Sequence, residues 1–229
     1  MISPALDRIY SNDKDDKAKN LLNMLTDEKI STAGYRDAMF NIGLHLGNIL
    51  LESIDIQKKY CVVATVEDAD FLAKGIIEAI SKKVAGVYLA CLWNERTTVN
   101  GQSIAPIYNK FFDKEYETAD ELIVVKSIIA GSCVVRTNIT ALYSTVKPSI
   151  IHVVAPVMHV SSEEKLEKEF SSAISKLFKY TFLAKDSCKT EDGNIFPGIG
   201  GNVYTKLGFK SQSYKNSTIP DIVADRLFA

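Results

Sequence analysis

Short apolar runs alternate with longer amphipathic stretches along most of this chain. Residues 61–65 (CVVAT), 86–92 (GVYLACL), 121–125 (ELIVV), 149–156 (SIIHVVAP) and 180–184 (YTFLA) are brief and rich in β-branched or aromatic residues. Runs of that kind suit strands buried on both faces. Residues 36–54 carry apolar side chains at 39, 40, 42, 44, 46, 49 and 50, a spacing that predicts an amphipathic helix. Further helices are predicted over 69–83, 134–146 and 161–178. Strands alternating with helices predict an α/β fold with a mainly parallel central sheet flanked by helices. Residues 1–35 read as a charged arm with one short helix around Leu21, Leu22, Met24 and Leu25. Residues 94–118 are polar and broken by the turn signal Asn100–Gly101, and the tail 193–229 reads as loop and turn. No repeat or linker divides the chain, so 1–229 is expected to be one domain. In such sheets ligands bind beyond the carboxyl ends of the strands, which places the expected site at the loops 66–70, 93–97 and 126–133.

Composition narrows the function classes. Of 229 residues 46% are hydrophobic, enough for a sizeable core. Lys and Arg number 27 against 28 Asp and Glu, a net charge of −1, so a broad nucleic-acid surface is not indicated. No apolar run approaches the roughly 18 residues of a membrane span, and the polar start of the chain is not a signal peptide. Cys61, Cys91, Cys133 and Cys188 form no CxxC pair or metal-ligand spacing, and His45, His152 and His159 do not cluster with them. Reduced thiols and a cytoplasmic location are the expectation, and no metal site is expected.

Four ordered segments resemble the signature segments of the uracil phosphoribosyltransferase family, and with their connections they span most of residues 32–229. That family converts 5-phosphoribosyl-1-pyrophosphate (PRPP) and uracil into UMP and pyrophosphate. Residues 62–75 (VVATVEDADFLAKG) are similar to its strand and pyrophosphate loop, with Glu67 at or near an arginine position. Residues 93–110 (WNERTTVNGQSIAPIYNK) are similar to its mobile loop, with Trp93 in place of an arginine and Arg96 and Lys110 as candidate cations. Residues 125–133 (VKSIIAGSC) stand at the PRPP loop. The resemblance implies that backbone N–H groups of Ala130, Gly131, Ser132 and Cys133, leading into a helix, cradle a phosphate. The family's acid before that loop, which accepts from ribose hydroxyls, is Lys126 here, a donor with no acceptor. Residues 194–201 (NIFPGIGG) resemble the loop that reads the base edge, through Pro197, Gly198, Ile199 and Gly200. The family's following acid is Gly201, and Asp225–Arg226 near the chain end resembles the remainder of the motif, as though residues 202–223 were inserted.

Each match has a plainer reading. The acids at 67–70 suit a helix start, Ala130–Gly131–Ser132 suits a close βα turn, and Gly198 and Gly200 suit ordinary turns. Polar positions have changed while scaffold positions persist, and Lys126 is placed to ion-pair with Glu67 or Glu95 and fill the altered site. The expectation is a divergent, non-catalytic homologue serving as a structural or regulatory subunit. An altered phosphoribosyltransferase and a nucleotide or PRPP sensor are the alternatives. No cofactor is expected, save Mg2+ if PRPP binds. The resemblance implies a homo-oligomer or larger protein complex, with the arm and Tyr204, Phe209 and Tyr214 as either interface anchors or intramolecular packing.

Overall fold

A computed structural model describes residues 8–191 and 193–228. Its strands are β1 (Arg8–Tyr10), β2 (Lys59–Thr65), β3 (Gly86–Asn94), β4 (Thr97–Val99), β5 (Gln102–Ile104), β6 (Ile107–Phe112), β7 (Glu121–Val125), β8 (Ile128–Ile129), β9 (Ile151–His159), β10 (Phe178–Asp186), β11 (Cys188–Lys189) and β12 (Ile195–Phe196). The helices are α1 (Asp16–Thr26), α2 (Thr32–Leu51), α3 (Val66–Asp68), α4 (Lys74–Ile80), α5 (Cys133–Val146), α6 (Ser162–Lys168), α7 (Ser172–Ser175), α8 (Val203–Lys206), α9 (Gln212–Lys215) and α10 (Asp221–Leu227). A π-helical stretch, Ala69–Ala73, joins α3 to α4.

The main sheet has eight strands in the order β1-β10-β9-β7-β2-β3-β6, with β8 paired to β9. From β10 to β3 the strands run parallel, and β1 and β6 close the two edges antiparallel. Side chains of the central strands alternate between two cores, as a two-residue period requires. Val62, Ala64, Ile123 and Val125 face α1, α2 and α4. Cys61, Val63, Leu122 and Val124 face α5 and α6. All five expected strands are present, and the mainly parallel sheet flanked by helices is the observed fold.

Differences from expectation have local causes. The helix foreseen over 36–54 begins at Thr32, because Ser31 caps it by accepting from the Gly34 N–H. Residues 161–178 break into α6 and α7, and β10 begins at Phe178. The polar segment 94–118 holds the β4–β5 hairpin and β6, an edge strand whose outward positions stay polar or exposed. α2 and the α3–α4 run meet backbone to backbone: a Cβ on Gly43 would lie 2.2 Å from the Leu72 carbonyl oxygen. From Arg8 onward the segment read as an arm is built into the fold, and residues 1–7 lie outside the described residues. α1 buries Leu21, Leu22 and Leu25, while β1 extends the sheet. Arg8 clips that edge to the far end of the chain through two bonds to Asp186 (2.8 and 2.7 Å) and one to the Gly198 carbonyl (2.6 Å).

Candidate functional site

β2 leads to β3 on one side of the sheet, and β7 leads to β9 and β10 on the other, so the topological switch point lies between β2 and β7. The carboxyl ends of these neighbouring strands diverge there, and α3 follows one while Lys126 and Ser127 follow the other. Asp68 is pinned by the Thr65 hydroxyl (2.7 Å) and the Ser127 N–H (3.1 Å). The Lys126 ammonium donates to Asp68 Oδ2 at 2.6 Å and to Glu67 Oε1 at 3.2 Å. From α9, the Lys215 ammonium donates to the other Glu67 oxygen at 2.9 Å and lies 5.1 Å from the centre of the Tyr204 ring. Two carboxylates and two ammonium groups thus cancel across a nearly dry floor, with Glu67, Asp68 and Lys215 at 3%, 1% and 2% exposure.

The charges fix the protonation states. Burial alone would raise Glu67, but Lys126 and Lys215 outweigh it and hold the carboxyl well below its ordinary range. Burial works against the charge on Lys126, and Asp68 and Glu67 outweigh it, so this ammonium stays protonated far into base. Burial, reinforced by Glu67, pushes the Tyr204 hydroxyl upward, so it remains neutral.

Above this floor lies a cleft of about 310 Å³ whose wall includes Asn94, Arg96, Gly131 and Gly201. α5 begins at its edge. Ser132 occupies the N-cap without a capping bond, because its hydroxyl donates instead to Glu169 (2.9 Å), which Arg136 also holds (2.6 Å). Lys189 donates to the Ala130 carbonyl at 2.9 Å. Asn94 is buried and gives its amide N–H groups to Asn138 (2.9 Å) and the Ala105 carbonyl (3.2 Å). Its own oxygen has no partner among the described residues.

The residues singled out from sequence separate into two groups. Lys126, Ala130, Gly131 and Arg96 line the cleft together. Ser132 turns to Glu169, and the Cys133 thiol points to the Ser103 carbonyl at 3.2 Å. Lys110 lies outside the cleft on edge strand β6, 5.6 Å from the Phe112 ring centre. Pro197, Gly198, Ile199 and Gly200 do not line it either, although Gly201 does. Their backbone is used internally. The Gly198 N–H donates to Asp186 (2.9 Å), its carbonyl accepts from Arg8, and the Ile199 carbonyl accepts from the Tyr35 hydroxyl (2.9 Å). Gly200 has φ +81° and packs so closely that a Cβ there would lie 2.0 Å from the Leu25 carbonyl oxygen. Asp225 is exposed on α10 and does not return to the cleft, and its neighbour Arg226 binds Asp113 at 3.1 Å. Residues 202–223 pack on their own domain: Tyr204 and Phe209 lie against the core, whereas Tyr214 is half exposed.

Lys215 and Asn94 are members of the site that the sequence did not disclose. Lys215 lies 148 residues from Glu67 in a polar tail with no motif around it. Asn94 sits at the end of a strand, and its side chain carries no charge to mark it. The residues present do not fit a divalent cation. Both floor carboxylates are held by ammonium groups, and no cluster of three metal-ligating side chains exists among the described residues. No helix among them is long and apolar enough to cross a membrane.

No family model matches the sequence, and no curated protein matches it. Solved structures do share its architecture. The AQ2163 protein from Aquifex aeolicus superposes with a TM-score of 0.66 at 15% identity, over 86% of this chain and 96% of that one. An adenine phosphoribosyltransferase from Trypanosoma brucei, in complex with AMP, pyrophosphate and ribose-5-phosphate, superposes with a TM-score of 0.50 at 8% identity, over 94% of both chains. At such identities the likeness is one of fold, and the fold of this chain is that of the phosphoribosyltransferases.

Proposed function

We propose that this chain is a divergent member of the uracil branch of the phosphoribosyltransferase-like proteins, that its PRPP site is closed by its own ion network, and that it serves as a structural or regulatory subunit of a protein complex. The observation that carries the reading is the Lys126–Glu67/Asp68–Lys215 network. Ribose hydroxyls need an acceptor where Lys126 offers only donors. A pyrophosphate approaching α3 would meet ammonium groups already committed to Glu67 and Asp68 instead of a free cation. Hydrogen bonds to charged groups contribute about 1.5–3 kcal/mol each. Losing two therefore weakens PRPP binding by about 3–6 kcal/mol, or roughly 10²- to 10⁴-fold.

A second reading, a nucleotide or PRPP sensor, draws on the open cleft with Arg96 and the start of α5 on its wall. Calorimetric titration with PRPP and Mg2+, then with UMP, followed by a nucleotide-formation assay, separates the readings. The subunit reading expects no heat from either ligand and no product. Micromolar binding without product favours the sensor, and turnover of PRPP overturns both.

A further inference from the structure

We infer that residues 210–219 form a reversible lid on the charged floor of the cleft, latched by the Lys215 ammonium acting as a ligand carried within the chain. The two ends of the segment are firmly anchored. On one side Leu207 is buried and its carbonyl accepts two bonds from Arg36 (3.0 and 2.6 Å). On the other, Pro220 is buried and the Ile222 N–H donates to Asp70 at 2.8 Å. Between Phe209, which packs on the core, and Pro220, Lys215 is the one buried residue among those described, and Tyr214 and Ile219 stand 47% and 59% exposed. The span therefore contributes almost no apolar burial, the main force that holds packed segments down.

Three polar contacts fasten it instead. Lys215 donates to Glu67 at 2.9 Å, Asn216 donates to Glu95 at 3.0 Å, and the Thr218 carbonyl accepts from the Trp93 indole at 3.0 Å. The oxygen of the Asn216 amide is buried and has no partner among the described residues, so this latch is incompletely satisfied. Buried ion pairs contribute little net stability, because desolvation offsets much of their attraction. A segment held in this way opens locally, well before the domain unfolds.

Opening changes the chemistry of the cleft. With Lys215 withdrawn, Glu67 and Asp68 face Lys126 alone, and the neutral floor becomes an anionic slot with a free carboxylate oxygen beside the Tyr204 ring. The closed molecule fills that slot with its own primary ammonium, and the open one offers it to another. The inference rests on the reading that the ion network closes the cleft. Its test reads hydrogen exchange instead of PRPP binding or turnover, so the two can fail separately.

Trp93 is the single tryptophan and is 3% exposed, so its indole N–H reports on the lid. In the unmodified protein this proton is expected to exchange at least a hundredfold faster than the backbone amides of β2, β7 and β9. Lys215→Met should speed it a further tenfold or more, and speed those strand amides by no more than the same factor, because the latch is absent from the open and the unfolded forms alike. An indole proton as slow as the strand amides overturns the lid, as does a Lys215→Met variant that leaves the indole rate unchanged. If Lys215→Met does not fold, the comparison within the unmodified protein decides alone.

Discussion

Replacing Lys126 with methionine removes the ammonium between Glu67 and Asp68 while keeping most of its side-chain volume. Removing one partner of a buried ion pair costs about 3–5 kcal/mol, because the other charge is left behind. Here the carboxylates are not abandoned. Glu67 keeps Lys215 at 2.9 Å, and Asp68 keeps the Thr65 hydroxyl and the Ser127 N–H. The loss should therefore fall at the lower end, about 3 kcal/mol. In a chain of this length that lowers Tm by about 6–12 °C. Urea unfolding followed by circular dichroism should show a lower midpoint with an unchanged slope. Adding Asp68→Asn removes the stranded charge, so the double variant should lose less than the sum of the singles, with a coupling of about 1–3 kcal/mol. A loss under about 1 kcal/mol for Lys126→Met, or strict additivity, would refute the view that this network is dry and tightly coupled.

The same network sets an acid limit. Because the folded pKa of Glu67 is depressed, its stabilisation is complete above the unfolded value of about 4.3 and disappears as pH falls through the folded value. Urea midpoints measured from pH 6 to pH 3 should fall steeply below about pH 4.3 and less steeply in Glu67→Gln. Arg8→Ala strands the buried Asp186 carboxylate and should cost about 3–5 kcal/mol by the same assay. Gly200→Ala forces both a positive φ and a backbone clash, and should cost about 3 kcal/mol or more. Gly131→Ala meets open space at an ordinary φ and should shift stability by no more than about 0.5 kcal/mol, despite its place on the cleft wall.

Much of the fold was legible because parallel strands buried on both faces announce themselves locally. Val62, Val63, Ile123 and Val124 could hardly be anything else. β6 and β1 were not legible, since edge strands carry polar residues and owe their pairing to partners elsewhere in the chain. Within the site, a pairing of Lys126 with Glu67 or Glu95 followed from charge, and Glu67 is the partner found. Lys215 did not, because its position depends on how a tail without periodicity returns across the sheet. The backbone bonding of the loop 197–200 was hidden for a related reason. Its glycines fit a ligand-reading turn, but the groups that occupy its backbone, Arg8, Tyr35 and Asp186, come from distant segments.

The Arg8 clip also has a consequence for how the protein is made. Its two ends are 178 residues apart. At a ribosome speed of about 5–20 residues per second, Arg8 is synthesised about 9–36 s before Asp186. Throughout that interval β1 has no strand to join, and the outer edge of the sheet is not yet built. The Gly198 carbonyl arrives later still, so a chain stalled short of it leaves Arg8 without its third acceptor. This strand is thus among the last to dock, and its docking records that translation has passed β10.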